Sequence, residues 1–210
     1  MTEIILLSLL AAVISLDVTA FGQFMISRPI VCGPLFGYIM GDIKAGLWLG
    51  MIIELFWSGE IPMGAAIPAD TTTVTILAIA WSLFSLPGQK SALVLSTALA
   101  IPAGILFRQG DILLRSYNVR LVHWVEKGVK EGNESRIAAG VYIGLALFFL
   151  KALVFFIFLI MAGQWALPQA HALLPASFIS GLELCWKLLP IAGCGMIFLN
   201  LRKSKFPCFK

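Results

Sequence analysis

The chain has 210 residues, of which 60% are hydrophobic and 12% charged, and its formal net charge is +4. Soluble domains are about 45–50% apolar and about 25% charged, so this composition excludes an ordinary water-soluble protein. The basic residues gather at 108–136 and 202–210. Short Lys- and Arg-rich segments beside membrane spans stay cytoplasmic, so the charge indicates orientation rather than nucleic-acid binding. We expect an all-α integral membrane protein, a multi-span helical bundle in one domain covering 1–210.

The N-terminal half, 1–107, contains short apolar runs. They cover residues 4–16, 30–40, 46–57, 71–86 and 92–107. Acidic Glu3 stands where a signal peptide is basic, so we interpret the first run as a retained span. Runs of about 10–14 apolar residues are more often re-entrant or buried than spanning. Interrupted helices in transporters point toward the substrate site, so this half is predicted to form broken or re-entrant helices around a site.

The segment 108–136 is polar, with six basic and four acidic residues. Leu114, Tyr117, Leu121 and Trp124 keep helical spacing within it. The pattern predicts an amphipathic cytoplasmic segment, and two roles stay open: it lies on lipid or it docks a soluble partner.

Two long apolar stretches follow, at 137–162 and 173–201, interrupted only by Lys151, Glu183 and Lys187. Each reaches the length of about 20 residues that a membrane span requires. We predict a transmembrane hairpin over 137–201 and a basic cytoplasmic tail over 202–210.

Five glycines recur at four-residue intervals in two short series: Gly33, Gly37 and Gly41, then Gly46 and Gly50. Small residues at this spacing let two helix backbones approach closely in a membrane. The glycines are therefore predicted to pack helices, and close packing would also let short hairpins fit within the bilayer.

Glu54 and Asp70 are the most informative carboxylates. Glu54 has apolar neighbours on both sides, and a charge at membrane depth needs a partner or a polar cavity. It forms either a structural ion pair, with Arg28 or Lys44, or an acceptor for a polar solute. Asp70 precedes three threonines and is predicted to cap the helix that begins there, which does not exclude substrate contact.

Asp17 and Gln23, at the far end of the first apolar run, are further candidates for the cavity, whereas Arg28-Pro29 predicts a helix boundary. Hydrolase and ATPase motifs are absent, and no cysteine spacing indicates a metal. We therefore expect a conduit rather than an enzyme, without catalytic residues, metal or cofactor.

The stretch from residue 16 to residue 75 resembles the signature region of the IIC component of mannose–fructose–sorbose-type sugar phosphotransferase systems. The matching positions are Leu16-Asp17, Gln23-Phe24, Arg28-Pro29, Gly41-Asp42, Gly46, Gly50, Glu54, Gly59, Gly64-Ala65-Ala66 and Asp70. The later spans match more loosely, in length, order and apolar character.

The resemblance implies a bacterial inner-membrane permease that forms a sugar path with a second membrane subunit, IID. Soluble IIA and IIB subunits would relay phosphate from phosphoenolpyruvate, and the substrate would be a hexose or an amino sugar. The family's site matches the region from Glu54 to Asp70. Gln23 would then add a donor and an acceptor, Trp57 a stacking face, and Asp17 a weaker contact.

Two departures from the family pattern matter. Pro62 stands where some members have asparagine, so the sugar is not carried over, and members usually continue beyond Phe206-Pro207. The shorter end favours a second hypothesis, a regulatory or scaffold protein that docks phosphotransferase subunits without moving sugar. A third is an unrelated transporter or channel. The oligomeric state is open, a homo-oligomer included.

Overall fold

The computed structural model describes residues 1–19, 22–58, 70–133 and 135–204, and seven helices lie in this part of the chain. They are α1 (Thr2–Thr19), α2 (Pro29–Ile39), α3 (Ile43–Trp57), α4 (Thr71–Ser85), α5 (Lys90–Lys130), α6 (Ser135–Leu173) and α7 (Ala176–Ser204). Within the described residues, all of the regular secondary structure is α-helix. Three helices, α5, α6 and α7, are long and apolar enough to cross a membrane. The prediction of an all-α membrane protein is confirmed.

Helices α2 and α3 form a tight antiparallel hairpin. Pro29 begins α2, and Gly41, with a φ of +87°, makes the turn that Asp42 follows as the N-cap of α3. The Asp42 carboxylate accepts a 2.9 Å hydrogen bond from the Ala45 N–H. The 11 and 15 residues of these helices give lengths of about 17 and 23 Å, less than the hydrocarbon core. Short helices in the N-terminal half were predicted, and they are present.

Four of the five predicted glycines lie where the two hairpin helices touch. A Cβ on Gly33 would lie 2.6 Å from the Gly46 carbonyl oxygen, and one on Gly37 would lie 2.9 Å from the Gly46 Cα. Gly50 would meet the Pro29 carbonyl. Gly41 differs, because a Cβ there would meet nothing within 4 Å. Its contribution is the left-handed backbone of the turn rather than helix packing.

Helix α4 is the centre of the bundle. Its residues 72–82 are buried without interruption, and it packs against α1, α2, α3, α5 and α6. Near its C-terminal end, the Trp81 indole N–H donates a 2.9 Å hydrogen bond to the Leu159 carbonyl of α6. The indole also fills the space above Gly163. An apolar helix of about 23 Å is stable at this depth because protein, not lipid, surrounds it.

The second half of the chain differs from the predicted boundaries. Residue 108 begins no new element, since α5 runs unbroken from Lys90 to Lys130, about 62 Å. The sequence changes from apolar to amphipathic within one helix, because propagating a helix costs little once it has formed. Helix α6 continues through the interval between the two predicted apolar stretches and ends at Leu173, and Pro175 precedes α7. Of the predicted tail, residues 202–204 continue α7 and residues 205–210 lie outside the described part.

Candidate functional site

The loop from Gly22 to Arg28 joins α1 to α2 and is held by Asp17. One carboxylate oxygen of Asp17 accepts a 2.6 Å hydrogen bond from the Phe24 N–H, and the other accepts from the Ser27 N–H at 3.2 Å and its hydroxyl at 3.1 Å. The Asp17 side chain is buried. Gln23 and Met25 have φ angles of 50° and 64°, a strained region for residues with side chains. Asp17 therefore stabilises an unusual loop, and Gln23 lies exposed on it.

Arg28 and Glu54 form an ion pair across the open end of the α2–α3 hairpin. The Arg28 Nη1 lies 2.7 Å from Glu54 Oε1. The Arg28 side chain is 55% exposed, but that of Glu54 only 18%. The second carboxylate oxygen of Glu54, Oε2, is buried and has no hydrogen-bond partner among the described residues. A buried acceptor without a donor is costly, so this oxygen is a place where a ligand hydroxyl would be favoured.

Asp70 is the N-cap of α4, as predicted. Its Oδ2 accepts a 3.2 Å hydrogen bond from the Thr73 N–H and a second bond from the Thr73 hydroxyl. The described residues offer no donor to Oδ1. On the far side, a Cβ on Gly104 of α5 would lie 3.1 Å from the Asp70 carbonyl oxygen. The backbone at Asp70 therefore rests directly on α5.

The loop between α1 and α2 brings these elements to one end of the bundle. The Ser27 carbonyl accepts a 2.8 Å hydrogen bond from the Thr72 hydroxyl of α4, while its N–H and hydroxyl reach Asp17 of α1. The next residue, Arg28, reaches Glu54 of α3. The ends of α1 and α3 and the starts of α2 and α4 thus meet around two adjacent residues.

The predicted site residues occupy different positions at this end. Glu54 and Asp70 lie on elements that the loop joins, and Trp57, one turn beyond Glu54, is half-buried against the core. Asp17 lies beneath the loop and Gln23 on its surface. Residues 59–69, which include Gly59, Gly64-Ala65-Ala66 and Pro62, lie outside the described part. No metal-binding cluster of His, Cys, Asp and Glu occurs among the residues that the structure describes.

Two features of this region were not predicted from the sequence. The Thr72 hydroxyl bonds α4 to the loop. The run of three threonines was the only sign in the sequence that a hydroxyl group could form such a bond. An ion pair between Asp111 of α5 and Lys151 of α6 lies beyond the Asp70–Gly104 contact. Lys151 was visible as an interruption of an apolar run, but its partner is 40 positions away.

The fold and the polar end of the broken-helix half define a multi-span membrane protein with a small polar site among short helices. Short helices whose ends meet within a bundle are a feature of many membrane transporters.

A family model described as the sorbose-specific IIC component of the phosphotransferase system matches residues 1–209. The chain therefore belongs to this family of membrane permease components. The mannose-specific EIIC component of Escherichia coli K12 is 23% identical over 204 residues, 95% of this chain and 74% of that protein. The fructose permease IIC component of Bacillus subtilis 168 is 23% identical over 195 residues, 93% and 71% of the two chains.

A solved structure shares the fold. The cryo-EM structure of the mannose transporter ManYZ in complex with microcin E492 superposes with a TM-score of 0.67. The superposition covers 100% of this chain and 89% of that chain at 21% identity. At this identity the likeness establishes the architecture, not the site.

Proposed function

We propose that this chain carries a hexose or an amino sugar across the bacterial inner membrane, and that Glu54 and Asp70 accept hydrogen bonds from the sugar's hydroxyls. The observation that carries the proposal is the Glu54 Oε2 atom, a buried acceptor without a donor in the described residues. A sugar hydroxyl would satisfy it, while the Arg28 guanidinium pairs with the other oxygen of the same carboxylate.

Asp70 supplies the second half of the proposed site. The first turn of α4 directs backbone N–H groups and the positive end of its dipole toward the same end of the bundle. Asp70 Oδ1 adds an acceptor, so this helix start offers the mixture of donors and acceptors that a sugar requires. Gln23 would add a further amide, and Trp57 an apolar face for the sugar ring. Asp17, whose two oxygens are occupied by the loop, would support the site from beneath.

The chain is proposed to work with three protein partners. The family relationship and the shared fold with a two-subunit transporter support a IID membrane subunit as the second wall of the path. The phosphate chemistry would be carried by cytoplasmic IIA and IIB. Which sugar is carried is open, because the two bacterial relatives are named for mannose and for fructose.

Phosphoenolpyruvate-dependent sugar phosphorylation in vesicles tests the proposal. The vesicles would carry this chain and its cognate IID, with purified IIA, IIB and the general phosphate carriers outside and a panel of hexoses and hexosamines. Asp70→Asn is the informative variant, since asparagine also caps helices well and the fold is retained.

Asp42→Asn provides the matched control. Asp42 is also an N-cap, at the opposite end of the α2–α3 hairpin. We expect phosphorylation of at least one sugar, lost by tenfold or more in Asp70→Asn and unchanged in Asp42→Asn. Absence of phosphorylation across the panel, with both membrane subunits inserted and IIB bound, would contradict sugar transport. Equal activity in the two variants would contradict the role of Asp70.

A further inference from the structure

Lys151 is a charged side chain inside the most apolar of the three candidate spans. It forms an ion pair with Asp111 of α5, and the two side chains are only 18% and 20% exposed. The Lys151 ammonium also lies 3.4 Å from the centroid of the Phe107 ring and 4.9 Å from that of Phe148. Protein therefore surrounds the lysine on both helices, and its charge is balanced by one carboxylate and two aromatic faces.

A contribution to the stability of the fold does not by itself explain why an ion pair is present here. Taking two charges out of water costs about as much as their attraction returns, and well-packed apolar residues of similar size are often at least as stable. A membrane span tolerates an ionisable residue less readily than a soluble core does, and such residues mark functional positions. Packing around the pair is already supplied by aromatic side chains, with the rings of Phe107 and Phe155 centred 4.9 Å apart.

The pair is connected to Asp70 through one face of α5. Gly104, Phe107 and Asp111 are three and seven positions apart, so they lie on the same side of the helix. Gly104 touches the Asp70 backbone, and Asp111 lies about 10 Å further along the axis. At its other end α4 is fixed to α6 by the Trp81–Leu159 hydrogen bond. Helix α4 therefore rests on both α5 and α6, and their mutual register sets where its first turn lies.

We propose that the Asp111–Lys151 ion pair is a positioning device for the sugar site. It fixes the height and rotation of α5 against α6, and so holds the surface on which Asp70 rests. An ion pair between fixed positions on two helices has one favoured register, whereas an apolar contact tolerates sliding. This inference rests on the proposed function of Asp70, and its test separates the two.

The test replaces the pair by apolar residues of similar size, Asp111→Leu with Lys151→Met. The control removes the more exposed pair at the tip of the α5–α6 hairpin, where Glu131 and Arg136 lie 3.0 Å apart and their side chains are 48% and 30% exposed, as Glu131→Gln with Arg136→Gln. Each variant is measured with IID in the vesicle assay, and its thermal unfolding is followed in detergent.

We expect the apolar pair to insert and to unfold at or above the wild-type temperature, with kcat for sugar phosphorylation at least tenfold lower. The control should match the wild type, and Lys151→Arg should keep kcat within about threefold because it keeps a positive charge opposite Asp111. Wild-type kcat in the apolar pair overturns the proposal. If that variant does not insert into the membrane, kcat is measured for Asp111→Asn instead. A wild-type kcat in Asp111→Asn would likewise overturn the proposal.

A second readout needs no sugar. Cys32 is fully buried on α2 in the same cluster as Val74, the α4 residue beside Gly104. In a background with Cys185, Cys194 and Cys208 replaced by serine, we expect N-ethylmaleimide to modify Cys32 at least fivefold faster in the apolar pair. If the wild type phosphorylates no sugar, the proposed function fails, and the Cys32 modification rate alone tests whether the Asp111–Lys151 pair positions the helices. A faster rate supports positioning, and an unchanged rate overturns it.

Discussion

Arg28 and Glu54, 26 positions apart, meet at 2.7 Å where α2 begins and α3 ends. The ion pair closes the α2–α3 hairpin at the end opposite its Gly41 turn. It leaves one oxygen of Glu54 without a donor from the described residues, and this asymmetry makes the pair both a structural contact and a candidate ligand contact.

Glu54→Gln should weaken sugar binding more than it weakens the fold. Glutamine keeps the size of the side chain and one acceptor oxygen, but it loses the charge that pairs with Arg28. We expect KM for the transported sugar to rise at least tenfold while the amount of inserted protein stays near wild type. Arg28→Lys keeps the charge and is the companion variant. Unchanged KM in Glu54→Gln would leave Glu54 as an ion-pair partner alone.

Gly46→Leu should separate the α2–α3 hairpin. A Cβ at this position would overlap the Gly33 carbonyl oxygen, and the contact is backbone against backbone, so no side chain can move away. Overpacking of this kind typically costs about 1–3 kcal/mol, and more where the backbone itself must shift. Thermal unfolding in detergent measures the loss. Gly195→Leu is the control, since a Cβ there meets nothing within 4 Å. Equal unfolding temperatures would refute the close packing.

Asp17→Asn should loosen the loop from Gly22 to Arg28. The amide group replaces an acceptor oxygen by a donor, which then faces the N–H of Phe24 or of Ser27. Leaving such a group unsatisfied costs about 1–3 kcal/mol. Hydrogen exchange at Phe24 and Ser27 should accelerate at least tenfold. Glu3→Gln, on the exposed first turn of α1, should change neither rate. Slow exchange retained in Asp17→Asn would show that other contacts hold the loop.

Trp81→Phe should destabilise the contact between α4 and α6. Phenylalanine keeps a six-membered ring but removes the part of the indole that fills the space above Gly163. It also removes the hydrogen bond to the Leu159 carbonyl, whose loss alone has a net cost of about 0.5–1.5 kcal/mol. Trp165, which lies on α6 and is 71% exposed, provides the control as Trp165→Phe. We expect a lower unfolding temperature only for Trp81→Phe. The same unfolding temperature in both variants would contradict a stabilising role for the Trp81 indole at this contact.

Local patterns predicted the local structure well. Asp70 as an N-cap, Pro29 at the start of a helix and the glycine contacts of the hairpin depend on residues within a few positions or on fixed spacing. The continuity of α5 was missed because the change from apolar to amphipathic sequence at residue 108 marks a change of environment, not the end of a helix. A helix continues wherever its backbone hydrogen bonds do.

The long-range contacts of the site could not be predicted from the sequence. Glu54 had two candidate partners, Arg28 and Lys44, and only the folded hairpin distinguishes them. Asp17 binds a loop whose shape depends on left-handed backbone at Gln23 and Met25, which residue type alone does not predict. Lys151 and Asp111 stand on separate helices, and their register is a property of the packed bundle.

The backbone contact between α2 and α3 has a mechanical consequence. Where Gly33 and Gly37 meet Gly46 and Gly50, no side chains lie between the two helices that could change rotamer and let them slide. With the turn at one end and the Arg28–Glu54 pair at the other, we expect the hairpin to move as a rigid body, which can tilt or translate without a change in its internal geometry. Any movement of the hairpin relative to the rest of the bundle must then carry Arg28 and Glu54 together.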